Sequence, residues 1–313
     1  MKKIVRPLVI ATMLLGLASQ QVYAIDTTAI NEKWGKPTVV YGGGLNDQQI
    51  KETSQLLGIK DENTVTTTKA TGEDLVKYLG AGEANTSVMI SSVMVQKRNK
   101  GEGVKVHIAT PKNITLVTSE QYANAAITAG VADAEIEVAA VSKVTGESAL
   151  TGVYKAFEAN GVVLDGKRTA VAQKELELTN QIAQEQAKEK GFDAAKLDQA
   201  MIDIKKSLAE IKEKQGQVAT KEDVERIVND ALKKYGLDKV ISPTQVNNII
   251  QFALSYQQTS AIDSKQVLEQ LNSLSNTVKG KIGQLVDQAN REGWFDKIVA
   301  FFKEIFSAIF NSK

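Results

Sequence analysis

The chain has 313 residues, with 38 basic and 37 acidic side chains, one histidine and no cysteine. A nucleic-acid-binding protein needs a strongly basic surface, so the balanced charge argues against that class. The absence of cysteine excludes disulfides and leaves carboxylates as the main side chains for a metal. We find no cofactor-binding or metal-binding motif, and we expect the protein to bind neither a cofactor nor a metal. A chain of this length buries enough surface to fold without such support.

Residues 1–24 have the pattern of a secretory signal peptide. Basic residues come first, an apolar run from Leu8 to Ala18 follows, and a small-residue cleavage motif ends at Ala24. The apolar run is too short to cross a bilayer as a helix. We expect cleavage after Ala24 and a secreted or cell-surface location for the remaining chain.

Residues 25–165 predict an α+β domain. Short runs rich in β-branched residues predict five strands. They are Thr38–Tyr41, Thr64–Thr68, Ser87–Gln96, Val104–Ala109 and Glu135–Val141. Two helices, Asp47–Leu57 and Ser119–Ala129, are each followed by a glycine, and Asn46 is a suitable N-cap for the first.

Residues 45–79 and 117–157 share one order of features, which suggests an internal duplication. In each, a helix that ends at glycine is followed by a Thr-Gly-Glu element, at Thr71 in the first and Thr145 in the second. We expect both threonines to cap a helix. Two stacked copies would bury a face that neither buries alone. The alternative is coincidence, since Thr-Gly-Glu is a common helix start.

Gly42, Gly43 and Gly44 lie between a predicted strand and a predicted helix. A glycine loop at that place can bind phosphate through free backbone N–H groups. The spacings of the known phosphate and dinucleotide loops are absent, however. We interpret the loop as a plain turn in which glycine supplies positive φ.

The side chains of this sequence provide no recognisable catalytic motif. His107 is the single histidine, and strand alternation places it opposite the valines, on a solvated face. No G-x-S-x-G motif accompanies it, which argues against a serine hydrolase. A carboxylate pair for glycoside cleavage needs no adjacency in sequence, so that class stays open with no residues located.

Residues 166–290 predict an all-α bundle of four to six antiparallel helices. One short heptad seam consists of Leu197, Met201, Ile204, Leu208 and Ile211. Thr220 with Asp223, and Ser242 before Pro243, mark two further helix starts. We expect the faces rich in lysine and glutamate to be solvated exteriors.

The closing segment, residues 291–313, predicts an amphipathic helix. At 100° per residue, its apolar side chains fall on one half of a helical wheel and its charged ones on the other. The apolar set is Trp294, Phe295, Ile298, Phe301, Phe302, Ile305, Phe306, Ile309 and Phe310. Charges along its length argue against a membrane span. Three roles stay open: binding a membrane surface, binding a cell-envelope protein, and docking on the chain's own helices.

Four segments together give the chain a family resemblance. They are YGGGLNDQQIKE, SSVMVQKRNKGEGVKV, NITLVTSEQYANAAITAG and TGESALTGVYKAFEANG. They resemble secreted Gram-positive proteins grouped as domain of unknown function 1002. The resemblance implies export and a similar architecture, and it implies no reaction. Many members have an acidic residue where this chain has Gly44, which argues against a shared ion site at that turn.

Two functions fit these patterns. The first is an exported, non-enzymatic interaction or structural protein whose C-terminal helix binds a membrane or a partner. The alternative is a cell-envelope hydrolase with an unlocated carboxylate site. We favour the first, because export and helical surfaces have positive support in the sequence whereas catalysis has none.

Overall fold

The structure is a computed structural model that describes residue 25, residues 34–80 and residues 82–290, with side chains in the last helix as far as residue 283. These residues form a mixed α/β fold with one sheet. The strands are β1 Thr38–Gly42, β2 Thr66–Ala70, β3 Ser92–Lys97, β4 Val104–Ile108 and β5 Ala134–Ala139. The helices beside them are α1 Asp47–Leu56, α2 Gly72–Leu79, α3 Ser119–Ala129 and α4 Ser148–Ala159.

The sheet has the strand order β2-β1-β3-β5-β4. β1 runs parallel to β2 and β4 runs parallel to β5, whereas β3 is antiparallel to its neighbours β1 and β5. All five predicted strands are present. β3 begins later than predicted because Thr86–Val88 forms a short 3-10 helix, with Asn85 as its cap.

The two faces of the sheet have different covers, as strand alternation requires. Val39 and Met94 belong to a smaller hydrophobic cluster with the residues of α1. Val40 and Val138 point to the other face, into a larger cluster that contains α3 and α4. The second face is therefore the one that meets the rest of the chain.

The two segments of the suggested duplication have the same order of helix, strand and helix but differ in detail. Thr71 caps α2 as predicted, through a capping box with Asp74. The prediction that Thr145 caps a helix is wrong, because α4 starts at Ser148 and its N-cap residue, Glu147, makes no side-chain cap bond. In addition, α1 and α3 cover opposite faces of the sheet.

The glycine loop before α1 is a turn whose N–H groups are used inside the protein. The nitrogen of Gly43 donates to the carbonyl of Ala70, and that of Gly44 donates to the carbonyl of Met89. The predicted positive φ is wrong, because none of the three glycines has it. Glycine is required here because a Cβ on Gly42 would overlap the carbonyl of Met89.

Residues 166–290 contain five α-helices, of which the first, second and fifth pack against the sheet layer and the other two pack on their neighbours. They are α5 Gly166–Gln186, α6 Ala194–Gln215, α7 Lys221–Lys234, α8 Pro243–Tyr256 and α9 Lys265–Asn290. Thr220 and Ser242 cap α7 and α8 as predicted. One hydrophobic cluster extends from β1 and α3 through α5 and α6 to α9, and so crosses residue 165.

The expectation that every charged face of these helices is solvated is wrong for α5 and α6. Glu175, Asp198 and Lys205 are all buried. In α5 the charged face is buried because the helix is covered on more than one side: it packs on α2 and α3 on one side and on α8 on another. Within the described residues, no helix has the length and apolar character needed to cross a membrane.

Candidate functional site

The site residues predicted from sequence lie outside the described residues. This holds for the cleavage residue Ala24 and for the nine apolar residues of the closing segment, from Trp294 to Phe310. Their roles stay predictions. The described part of the chain offers a different candidate, a groove between the sheet layer and α5.

This groove is a cavity of about 200 Å³ with two kinds of wall. One wall is apolar and contains Leu75 and Leu79 of α2 with Val88 and Met89. Val88 is 55% exposed, so this wall is partly open to solvent. The other wall is polar and consists of Thr145, Glu147, Ser148, Gln173 and Glu177. The groove is hence suited to a ligand with an apolar part and a polar part.

Two carboxylates give the polar wall its charge. The amide of Asn180 donates to Glu147 at 2.6 Å, and the amide of Gln173 donates to Glu177 at 3.2 Å. Glu177 lies at the exposed rim, yet the groove wall removes part of its hydration and raises the pKa of its carboxyl. The charge of Glu147 raises that pKa further, while the bond from Gln173 opposes the rise. A cation placed between the two carboxylates would relieve their repulsion.

Gln173 provides a second and independent indication of a ligand. The residue is 3% exposed, and its Oε1 has no hydrogen-bond partner in the described part of the chain. A buried acceptor without a donor costs roughly 1–3 kcal/mol. Gln173 lines the groove, so a donor group of a bound ligand would satisfy it.

A buried ion pair lies on the other side of α5. Lys205 of α6 is fully buried and its Nζ is 2.7 Å from Glu175 Oε1. The same ammonium donates to Asn124 Oδ1 at 2.6 Å and to Thr128 Oγ1 at 2.9 Å. Burial lowers the pKa of Lys205, and the charge of Glu175 opposes that shift. Since the cluster is sealed from solvent, its role is to join α3, α5 and α6.

His107, predicted to be solvated, is only half exposed. Its side chain has 37% of its surface exposed, and its Nδ1 lies 3.4 Å from Oε1 of buried Glu137. That nitrogen makes no hydrogen bond to any described residue. No group of three or more potential metal ligands occurs among the described residues.

Sequence reasoning missed the groove because the polar residues that α5 contributes to it lie in a region rich in lysine and glutamate. A signal was nevertheless present in α5. Gln173, Glu177 and Asn180 follow each other at steps of four and three, so they share one helix face. A polar stripe of this kind is typical of a solvated face as well, and only the fold shows what lies opposite.

Comparison with known proteins places the chain in a family. The family model described as "Protein of unknown function (DUF1002)" matches residues 41–274. The "Uncharacterized protein YpuA" of Bacillus subtilis (strain 168) is 30% identical over 281 residues, which cover 88% of this chain and 89% of that protein. No solved structure matches. Since the family model covers well over half of its length, the chain belongs to the DUF1002 family.

Proposed function

We propose that the protein is exported and acts as a binding protein at the cell surface or in the extracellular space. The ligand class that fits the groove is a cationic, partly apolar group, such as a lysine beside a leucine in a peptide segment. The observation that carries this proposal is the Oε1 of Gln173, which has no hydrogen-bond partner among the described residues and lies beside Glu147 and Glu177. A primary ammonium donates up to three hydrogen bonds and carries a charge opposite to that of both carboxylates.

Export is supported by the signal-peptide pattern of residues 1–24. The proposal also includes the finer architecture predicted from sequence. The recurring helix, strand and helix order supports a duplication, and the five helices of residues 166–290 support a bundle. The amphipathic pattern of residues 291–313 supports a closing helix that binds a membrane surface or a cell-envelope protein.

Calorimetric titration of the mature protein tests the groove. The probe is a short capped peptide with lysine next to leucine, and the comparison peptide has an acetylated lysine. We expect binding of the first only. Glu177→Gln should weaken it about fivefold, as suits an exposed charge pair. Glu189→Gln, an exposed change just beyond the end of α5, is the matched control. Equal binding of both peptides, or no binding of either, would contradict the proposal.

One observation favours a second candidate, the cell-envelope hydrolase. Glycoside hydrolases use two carboxyl groups, one of which has a raised pKa and acts as the acid. Glu147 and Glu177 line one groove, and the pKa of Glu177 is raised. Release of soluble fragments from purified cell walls, lost in both Glu147→Gln and Glu177→Gln, would support this candidate over pure binding.

A further inference from the structure

Ile25 occupies a buried position on the face of the sheet that α1 covers. The residue is 5% exposed and belongs to the hydrophobic cluster of Val39, Tyr41 and Met94. Its backbone nitrogen lies 3.5 Å from Oε2 of Glu137. This contact joins residues that are 112 positions apart in the chain.

Glu137 is a carboxylate buried in the middle of a sheet. It lies on β5 with its side chain 2% exposed, and its cross-strand neighbour on β3 is the apolar Met94. On β4, His107 faces it without a hydrogen bond. Glu135 on its own strand adds a negative charge, and Arg98 pairs with Glu135 rather than with Glu137.

Among the described residues, the polar groups that face this buried carboxylate are an amide and an imidazole, which compensate its charge poorly. Burial, the largest cause, raises the pKa of Glu137 to about 7. The position therefore favours a nearby cation. Two described nitrogens could supply one, Nδ1 of His107 at 3.4 Å when its ring is protonated and the backbone nitrogen of Ile25 at 3.5 Å. In an uncleaved chain that nitrogen is a neutral amide.

Cleavage at the predicted site changes the chemistry of this nitrogen. Hydrolysis of the Ala24–Ile25 bond by a signal peptidase consumes one water molecule and leaves a carboxylate on Ala24 and an amine on Ile25. The amine takes up a proton at neutral pH, since an α-amino group has a pKa of roughly 8. The nitrogen of Ile25, formerly a neutral amide, then carries a positive charge.

We propose that Glu137 is the binding site for the α-ammonium group of Ile25, so that removal of the signal peptide creates a buried ion pair. This proposal rests on the proposed export, because it needs cleavage after Ala24. Its consequence is a link between processing and stability. The uncleaved chain folds with an uncompensated carboxylate, and the cleaved chain folds with a paired one.

Urea unfolding of two forms of the protein tests the pair. One form starts at Ile25 and the other starts at Val22, which moves the ammonium roughly 10 Å along the chain. We expect the Ile25 form to have an unfolding constant at least about tenfold smaller, since each pKa unit restored to Glu137 is a factor of ten. Glu137→Gln should abolish the difference, and Glu135→Gln should preserve it.

Equal stability of the two forms, or a difference that survives Glu137→Gln, would overturn the proposal. Should Glu137→Gln fail to fold, the ¹⁵N-labelled α-amine of Ile25 gives a second measurement by NMR titration. A pKa above that of a free terminus supports the ion pair, and an ordinary value overturns it.

Mass spectrometry of the natural protein separates this proposal from the proposed export. Secreted protein that starts at Ile25 supports both. Secreted protein that starts elsewhere overturns the ion pair and leaves export in place. Full-length protein retained inside the cell overturns export, and with it the natural formation of the pair.

Discussion

Replacing Lys205 with methionine tests how the sheet layer is joined to the helices behind it. Methionine keeps most of the length of the side chain but removes the ammonium. The carboxylate of Glu175, 2% exposed, then loses its cation, and Asn124 and Thr128 lose a donor. Breaking a buried pair from one side costs about 3–5 kcal/mol, because a charge is left without compensation. That is a large part of the 5–15 kcal/mol typical of a whole folded protein.

The assay is urea unfolding of the mature protein, followed by circular dichroism. The double variant Lys205→Met with Glu175→Leu removes both charges, so it should recover most of the loss, as buried pairs replaced by apolar side chains usually do. Lys214→Met, on the same helix with its side chain 75% exposed, is the control and should change the free energy of unfolding by less than about 0.5 kcal/mol.

A loss below about 1 kcal/mol for Lys205→Met would refute this reasoning, because it would mean that the Glu175 carboxylate is neutral or is compensated by other groups without the ammonium. A double variant as unstable as the single one would also refute it. In that case the cost would come from lost packing or from Asn124 and Thr128, and the charge of Glu175 would contribute little.

Three further predictions concern other parts of the chain. Gly42→Ala should lower the free energy of unfolding by roughly 1–3 kcal/mol in urea titrations, because its Cβ meets the Met89 carbonyl, whereas Gly166→Ala has open space and should be neutral. In the form extended at its N-terminus, Glu137 binds a proton on folding because its pKa rises from 4.5 to about 7. The free energy of unfolding should therefore fall by about 3 kcal/mol as pH rises through that window, and Glu137→Gln should flatten the profile. Mature protein should float with lipid vesicles, and ending the chain at Gly293 should abolish flotation without changing the unfolding midpoint; equal flotation of the shortened form would count against a membrane role.

The parts of the fold that could be predicted from sequence are those determined by neighbours in the chain. Thr71 and Ser242 cap helices through bonds that reach three residues, so their role is visible in a short window. The prediction that Thr145 caps a helix was wrong because its Thr-Gly-Glu element lies where the chain forms an isolated bridge and a turn before α4 begins. Lys205 and Glu175 are 30 positions apart on different helices, and no local pattern distinguishes them from solvated charges.

The groove and the buried pair are two consequences of one helix orientation. In an α-helix, residues 173 and 177 lie roughly 40° apart, and each is roughly 160° from residue 175. Seating Glu175 against Lys205 therefore turns Gln173 and Glu177 toward the opposite side, where the groove is. If a variant at Lys205 loses ligand affinity, the reason is therefore a rotation of α5. Contact with the ligand has to be inferred from changes at Gln173 and Glu177 in a protein whose buried pair is intact.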